Sequence, residues 1–318
     1  MNRFFLHIRS FTSLIRIQNL AFIVFTQYFF YFFILIPIYK DNPGSNVLGL
    51  NGLHWLVLAS VLIAGGGYII NDYFDLNIDR INKPQKLVVD RFISRRWAMF
   101  LHLILSLAGI LISAYIAYLL SNPLLLVFNI ISVLLLFVYS STFKKKLLTG
   151  NVIIAALSAW VIMVLFVAMC QWNPGTLVPE WTTQLHEVYN IALVYSAFAF
   201  IVSLIREVVK DMEDEEGDKK NGCKTMPIVW GIKSTKVFIG VWIIVLFGLL
   251  IVFIFNLIIA GWLLGVLYII FVLLPFLIRI YMSFSKALIK KEYSQISREV
   301  KLFMLSGIFS MLIYYFYQ

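Results

Sequence analysis

Apolar residues along this chain come in long unbroken runs, not in the alternating or one-sided patterns of soluble strands and helices. Runs close to the roughly 17–25 residues that carry a helix through a bilayer recur from end to end. They predict spans at 20–38, 53–71, 98–120, 123–141, 151–170, 190–209, 237–257, 261–281 and 300–317. The expected fold is therefore all-α: a polytopic membrane protein of nine transmembrane helices, forming one integral-membrane domain over 1–318. Ser121-Asn122-Pro123 separates the third and fourth runs and predicts a tight hairpin there.

Composition agrees and removes the alternatives. Apolar residues make up 61% of the 318 positions and charged residues 13%, against about 45–50% and about 25% in soluble domains. Too little polar surface remains to coat water-soluble globules. With only two cysteines a disulfide framework is excluded as well. The net charge of +10 sits in short clusters between the apolar runs. It fits anionic lipid headgroups or a phosphorylated ligand, and nucleic acid is not expected as a partner.

The basic clusters also orient the chain. On the nine-span partition all but Lys40 of the 26 Lys and Arg residues fall on one side, which predicts a cytoplasmic N-terminus. Phe4, Phe5, Ile8, Phe11 and Ile15, interleaved with Arg3, Arg9 and Arg16, predict an amphipathic interfacial helix over the first eighteen residues, not a cleaved signal peptide. Cys170 and Cys223 fall on opposite faces and are not expected to pair.

The chemistry lies where two spans reach the cytoplasmic side. Asp72, Asp75 and Asp79 close the second span at i, i+3 and i+7, which puts them on one helix face, with Asn71 one turn from Asp75. Asp211, Asp214 and Asp218 close the sixth span with the same spacing. The offset between matched acids is constant (72 to 211, 75 to 214, 79 to 218), and each cluster is followed by basic residues and a proline, Pro84 or Pro227. An internal duplication relating 72–79 to 211–218 is expected, with its two acidic faces meeting across one cavity. Carboxylates near a membrane are costly (about 2.5–3.5 kcal/mol each at the bilayer centre), so something cationic should occupy those faces. Mg²⁺ held between a few carboxylates and a diphosphate would neutralise them and leave the diphosphate's tail in the bilayer. Two competing motifs fail. Asp75-x-Asn77-x-Asp79 opens like a calcium loop but has Arg80 where glycine is required, and Gly231-Ile232-Lys233-Ser234-Thr235 lacks the first glycine and spacing of a phosphate-binding loop.

These motifs resemble the UbiA superfamily of intramembrane prenyltransferases. Asn71-Asp72-x-x-Asp75-x-x-x-Asp79 is similar to that family's first aspartate-rich motif, and Asp211-x-x-Asp214-x-x-x-Asp218 to its second. Arg16-x-x-Asn19, Arg80-Ile81-Asn82-Lys83-Pro84, Tyr139 followed by Lys144, and Gly150-Asn151 extend the similarity. The chain departs from the family at Ile17, where many members carry proline, and at Lys86-Leu87-Val88, where many read arginine-proline-leucine.

The resemblance implies a central cavity capped by cytoplasmic loops, and Mg²⁺-dependent transfer of an isoprenyl group from a polyprenyl diphosphate to a lipophilic acceptor. Asn71, Asp72, Asp75, Asp79, Asp211, Asp214 and Asp218 are then the expected metal site. Arg16, Arg80, Lys83, Lys144 and Lys210 are the expected diphosphate contacts, with Asn19 and Tyr139 also at the substrate. The run from Arg206-Glu207 to Asp218 resembles the branch that prenylates geranylgeranylglyceryl phosphate, whose phosphate Lys219, Lys220 and Lys224 could meet. An aromatic acceptor on the route to a quinone or related product is the alternative within the class. A transporter or cation channel is the alternative outside it, and would need ionisable residues near the bilayer midplane along several helices. No obligate protein partner is inferred.

Overall fold

The computed structural model describes residues 11–41, 43–170 and 181–317, the side chains of Ser45 and Lys86 excepted. Most of the amphipathic helix expected at the N-terminus lies outside the described residues. Among the described residues eight helices are long and apolar enough to cross a membrane: α1 (Ile17–Ile38), α2 (Gly49–Asn82), α3 (Arg95–Leu119), α4 (Pro123–Ser141), α5 (Thr149–Met169), α6 (Thr183–Lys220), α7 (Gly231–Ile259) and α8 (Leu263–Lys286). They are followed by α9 (Lys290–Phe309) and α10 (Met311–Tyr315). The chain is thus a multi-pass, all-α membrane protein.

The last predicted run, 300–317, does not form one apolar helix. Its first part is the end of α9, which begins in a charged stretch at Lys290, and Ser310 separates it from α10. The helix is two-faced. Tyr293, Ile296, Val300 and Phe303 are buried, while Lys291, Gln295 and Arg298 are exposed. Glu299, buried with the apolar face, accepts from Arg279 at 3.4 Å and from Gln295 at 3.2 Å.

Two helices overrun their predicted spans. At 1.5 Å per residue α2 and α6, of 34 and 38 residues, are roughly 50 and 57 Å long, against about 30 Å of bilayer hydrocarbon. The runs 53–71 and 190–209 stop where charge begins, but charge does not end a helix. No proline intervenes before Pro84 and Pro227, and the left-handed residue that turns the chain after α6 is Gly222 (φ +70°). The acidic motifs therefore stand on helical extensions rather than on loops.

Close backbone approaches set the frame around those extensions. A Cβ on Gly66 of α2 would lie 2.8 Å from Ser106 Oγ, and one on Gly109 of α3 would lie 2.7 Å from Ile63 Cγ1. Gly65-Gly66-Gly67 accordingly serves helix packing. The hairpin at 121–123 is as expected: Ser121 is left-handed (φ +49°) and Asn122 donates to the carbonyls of Val167 and Cys170 at 2.6 and 3.1 Å. Single π turns interrupt α1 at Tyr31–Leu35 and α8 at Ile269–Leu273, each just before a proline (Pro37, Pro275) whose missing N–H breaks the regular ladder. One apolar cluster joins the ends of α1, α2, α5 and α6 remote from the acids. A second joins the rest of α6 to α7, α8 and α9.

Candidate active site

The ends of α2 and α6 are clasped together. Asn82 donates from Nδ2 to the carbonyl of Asp214 (2.9 Å) and accepts at Oδ1 from the N–H of Gly217 (3.0 Å). Only glycine fits there, because a Cβ at residue 217 would lie 2.5 Å from the Asn82 carboxamide. Lys83, next in the chain, pairs with Asp214 at 2.6 Å. The two helix ends that carry the acidic motifs thus lie side by side.

Cations from three segments occupy those faces. Arg16 adopts a left-handed conformation (φ +52°), which turns the chain into α1 and sets its guanidinium 2.6 Å from Asp72 and over the Tyr68 ring at 5.2 Å. Lys144 comes from the short 3₁₀ turn Phe143–Lys145 between α4 and α5 and pairs with Asp75, which also accepts from Asn71 Nδ2 at 2.7 Å. Burial alone would lower the Lys144 pKa, but Asp75, then Tyr139 and Asp79, hold it above the ordinary lysine value. The turn is held over the site from both sides. Lys224 N–H donates to the Lys145 carbonyl at 2.8 Å, and a Cβ on Gly150 would lie 2.9 Å from the Phe143 carbonyl oxygen.

The remaining acids complete the layer. Asp211 accepts from Asn151 Nδ2 at 2.8 Å. Asp79 and Asp218 both lie within Coulombic reach of Asp75, Lys144 and Lys83. Among the described residues no three His, Cys, Asp or Glu side chains converge on one point as a ready-made metal cage. Two oxygens on opposing helices, Asn71 Oδ1 and Asp214 Oδ1, are nevertheless buried with no hydrogen-bond partner among the described residues. An all-oxygen donor set of this kind, with its remaining positions left to water and phosphate, fits Mg²⁺.

Not every residue singled out in the sequence joins this layer. Arg80 turns away and pairs with Asp90 at 2.7 Å, both side chains about half exposed (54% and 50%). Lys219, Lys220 and Lys224 are exposed, and Lys220 pairs with Glu216 at 2.7 Å. Lys210 bonds Glu207 at 2.5 Å. Asn19 accepts from Lys301 at 2.7 Å. Half-buried Tyr139 stands beside the Lys144 turn, its ring 3.2 Å from where a Cβ on Gly150 would be. Three residues that stand inside the quoted motifs, with no role expected of them there, matter here. Asn82 makes the clasp, Asn151 holds Asp211, and Glu207 binds both Lys210 and Arg206 (3.1 Å). Glu207 had a visible signal, an acid one turn before a carboxylate motif with basic neighbours on both sides.

The multi-pass helical bundle thus carries a layer of paired carboxylates and cations at one end of α2 and α6. Residues 43–307 match the UbiA prenyltransferase family, and the chain belongs to that family and is a prenyltransferase. It is 32% identical over 233 residues to the digeranylgeranylglyceryl phosphate synthase of Sulfurisphaera tokodaii, covering 72% of each chain. To the synthase of that name from Sulfolobus acidocaldarius it is 30% identical over 242 residues, covering 74% of this chain and 75% of the relative. With the synthase of Methanothermobacter thermautotrophicus it shares 35% identity over 185 residues, but the match spans only 57% of this chain and 58% of the relative. In three dimensions it resembles a solved digeranylgeranylglyceryl phosphate synthase (TM-score 0.62, 24% identity, 96% of this chain and 98% of the other). It also resembles a UbiA homologue from Archaeoglobus fulgidus bound to GPP and Mg²⁺ (TM-score 0.57, 16% identity, 95% and 99% covered). At these identities the structural likenesses establish the fold.

Proposed function

We propose that this protein catalyses Mg²⁺-dependent transfer of an isoprenyl group, best a geranylgeranyl group, from its diphosphate to the free hydroxyl of geranylgeranylglyceryl phosphate. The observation that carries this reading is the clasp of two carboxylate-bearing helix ends around Arg16, Lys83 and Lys144. The curated relatives' shared name supports the acceptor. Asn71, Asp72, Asp75 and Asp79 on α2, with Asp211, Asp214 and Asp218 on α6, would hold the metal, directly or through water. Mg²⁺ bound there offsets the negative charge that grows on the departing diphosphate.

The protein's own groups do the rest. Lys83, Lys144 and Arg16 bind the diphosphate oxygens and stabilise their developing charge. The allylic C–O bond breaks with its electron pair going to diphosphate. The acceptor hydroxyl gives a lone pair to the allylic carbon, and its proton passes to a carboxylate or to water, so one ether and one inorganic diphosphate result. The apolar bundle beneath keeps water from the allylic cation, and Tyr139 offers it an aromatic face.

In this reading α9 and α10 together make the ninth crossing and the loops around Lys83 and Lys144 form the cap. The N-terminus and the site face the cytoplasm, and α2 and α6 are the equivalent arms of an internal duplication. The test offers purified protein radiolabelled geranylgeranyl diphosphate with geranylgeranylglyceryl phosphate or with hydroxybenzoate-type acceptors. Labelled ether lipid that disappears with EDTA is expected. A labelled aromatic product instead would move the acceptor to the quinone type, and no transfer to any acceptor would overturn the reading.

A further inference from the structure

One turn or more below the acidic layer, toward the bilayer, the charge balance reverses. Arg206 precedes Asp211 on α6 by about 7.5 Å of helix rise, and it is the hub of a second cluster. Its charge is felt by Lys210 and Lys301 and by the phenol of Tyr68, and Lys210 in turn feels Arg16. The partners available to these four cations are few. Among the described residues Arg16 has Asp72, Arg206 and Lys210 share the carboxylate of Glu207, and Lys301 has the neutral carboxamide of Asn19 and the face of the Phe22 ring, with no carboxylate. Among the described residues two positive charges are left over, and the buried Nε of Arg206 has no acceptor. Arg206 and Lys301 are both half-buried, and unmatched positive charge held partly out of water calls for an anion.

We infer that Arg206 and Lys301, with Asn19 as a positioning residue, form the subsite for the phosphate of the acceptor lipid. This rests on the prenyl-transfer reading and deepens it. The acid layer takes the donor's diphosphate through metal, and the cation layer takes a phosphate monoester. In a glycerol phosphate the reactive hydroxyl lies within a few bonds of the phosphate, so adjacent layers bring hydroxyl and allylic carbon together. The residual charge matches a phosphate dianion better than the single carboxylate of a hydroxybenzoate-type acceptor. The exposed Lys219, Lys220 and Lys224 are not needed for this recognition.

The experiment uses the full-length protein in nanodiscs and the variants Lys301→Met, Lys301→Arg, Arg206→Gln and Asp75→Asn. Direct binding of geranylgeranylglyceryl phosphate is measured without metal, and KM for acceptor and donor with Mg²⁺. Lys301→Met and Arg206→Gln should weaken acceptor binding and raise its KM at least tenfold, with the donor KM within about twofold of wild type. Lys301→Arg should restore acceptor binding, and Asp75→Asn should bind acceptor normally while losing turnover. Unchanged acceptor binding in both Lys301→Met and Arg206→Gln, or an equal rise in donor KM, would overturn the subsite while leaving prenyl transfer intact. A wild-type protein that turns over no prenyl diphosphate would remove the underlying reading and the subsite together.

Discussion

The side chain most exposed to the consequences of change is Lys144. It sits against Asp75, which is 3% exposed, so removing Lys144 leaves a buried carboxylate with Asn71 as its remaining donor. Lys144→Met should lower stability by about 3–5 kcal/mol, read as a fall in unfolding temperature in detergent, and should weaken donor binding. A variant as stable as wild type would show that the pair is not buried as described. The carboxylates are better probed isosterically. Asp75→Asn and Asp214→Asn should each cut Mg²⁺-dependent turnover by about a hundredfold or more, with helical content by circular dichroism unchanged. Near-wild-type rates in both would remove these residues from the metal site. Arg16 adds a backbone contribution, since its left-handed conformation costs on the order of 1 kcal/mol and is held in place by Asp72 and Tyr68. Strain of this sort is commonly found beside functional groups.

Between elements, the clasp of Asn82 on Gly217 sets the spacing of the two acidic faces. Asn82→Ala would strip partners from the Asp214 carbonyl and the Gly217 N–H, at about 1–3 kcal/mol. Gly217→Ala would force the same groups apart by steric contact. Because both act on one joint, their effects on unfolding free energy should fall short of the sum by more than about 0.5 kcal/mol. Strict additivity in a double-mutant cycle would show that the helices are spaced by something else. Much of this region was legible in the residue pattern. The i, i+3, i+7 aspartates needed only helical periodicity to place each set on one helix face, and Lys83 and Lys144 entered through the resemblance to the family, as expected diphosphate contacts. The helix ends were not legible, because hydropathy registers where water begins rather than where hydrogen bonding stops. Asn82 was missed for a related reason, since its two bonds reach across more than a hundred residues. Arg80 was expected at the site on its motif position, but Asp90, a loop residue with no distinguishing pattern, captures it.

At the scale of the whole molecule, orientation can be read chemically. Cys170 and Cys223 are both buried, and burial pushes their thiols up to about 12 and about 11, so the wild-type protein should give little maleimide label at neutral pH. Against that background, Trp181→Cys should be labelled in intact cells by an impermeant maleimide and Glu216→Cys only after lysis. The reverse pattern would invert the topology. Chelation offers a global check on the oxygen-rich layer. EDTA should abolish turnover and Mg²⁺ restore it, whereas full activity in chelator would deny the metal a role. The overhang of α2 and α6 carries a consequence for the host cell. Reactive groups mounted on rods some 20 Å longer than the oily slab they cross keep their mutual geometry when that slab thickens or thins by a few ångströms. The spacing of those groups is thereby insulated from changes in the thickness of the membrane around them.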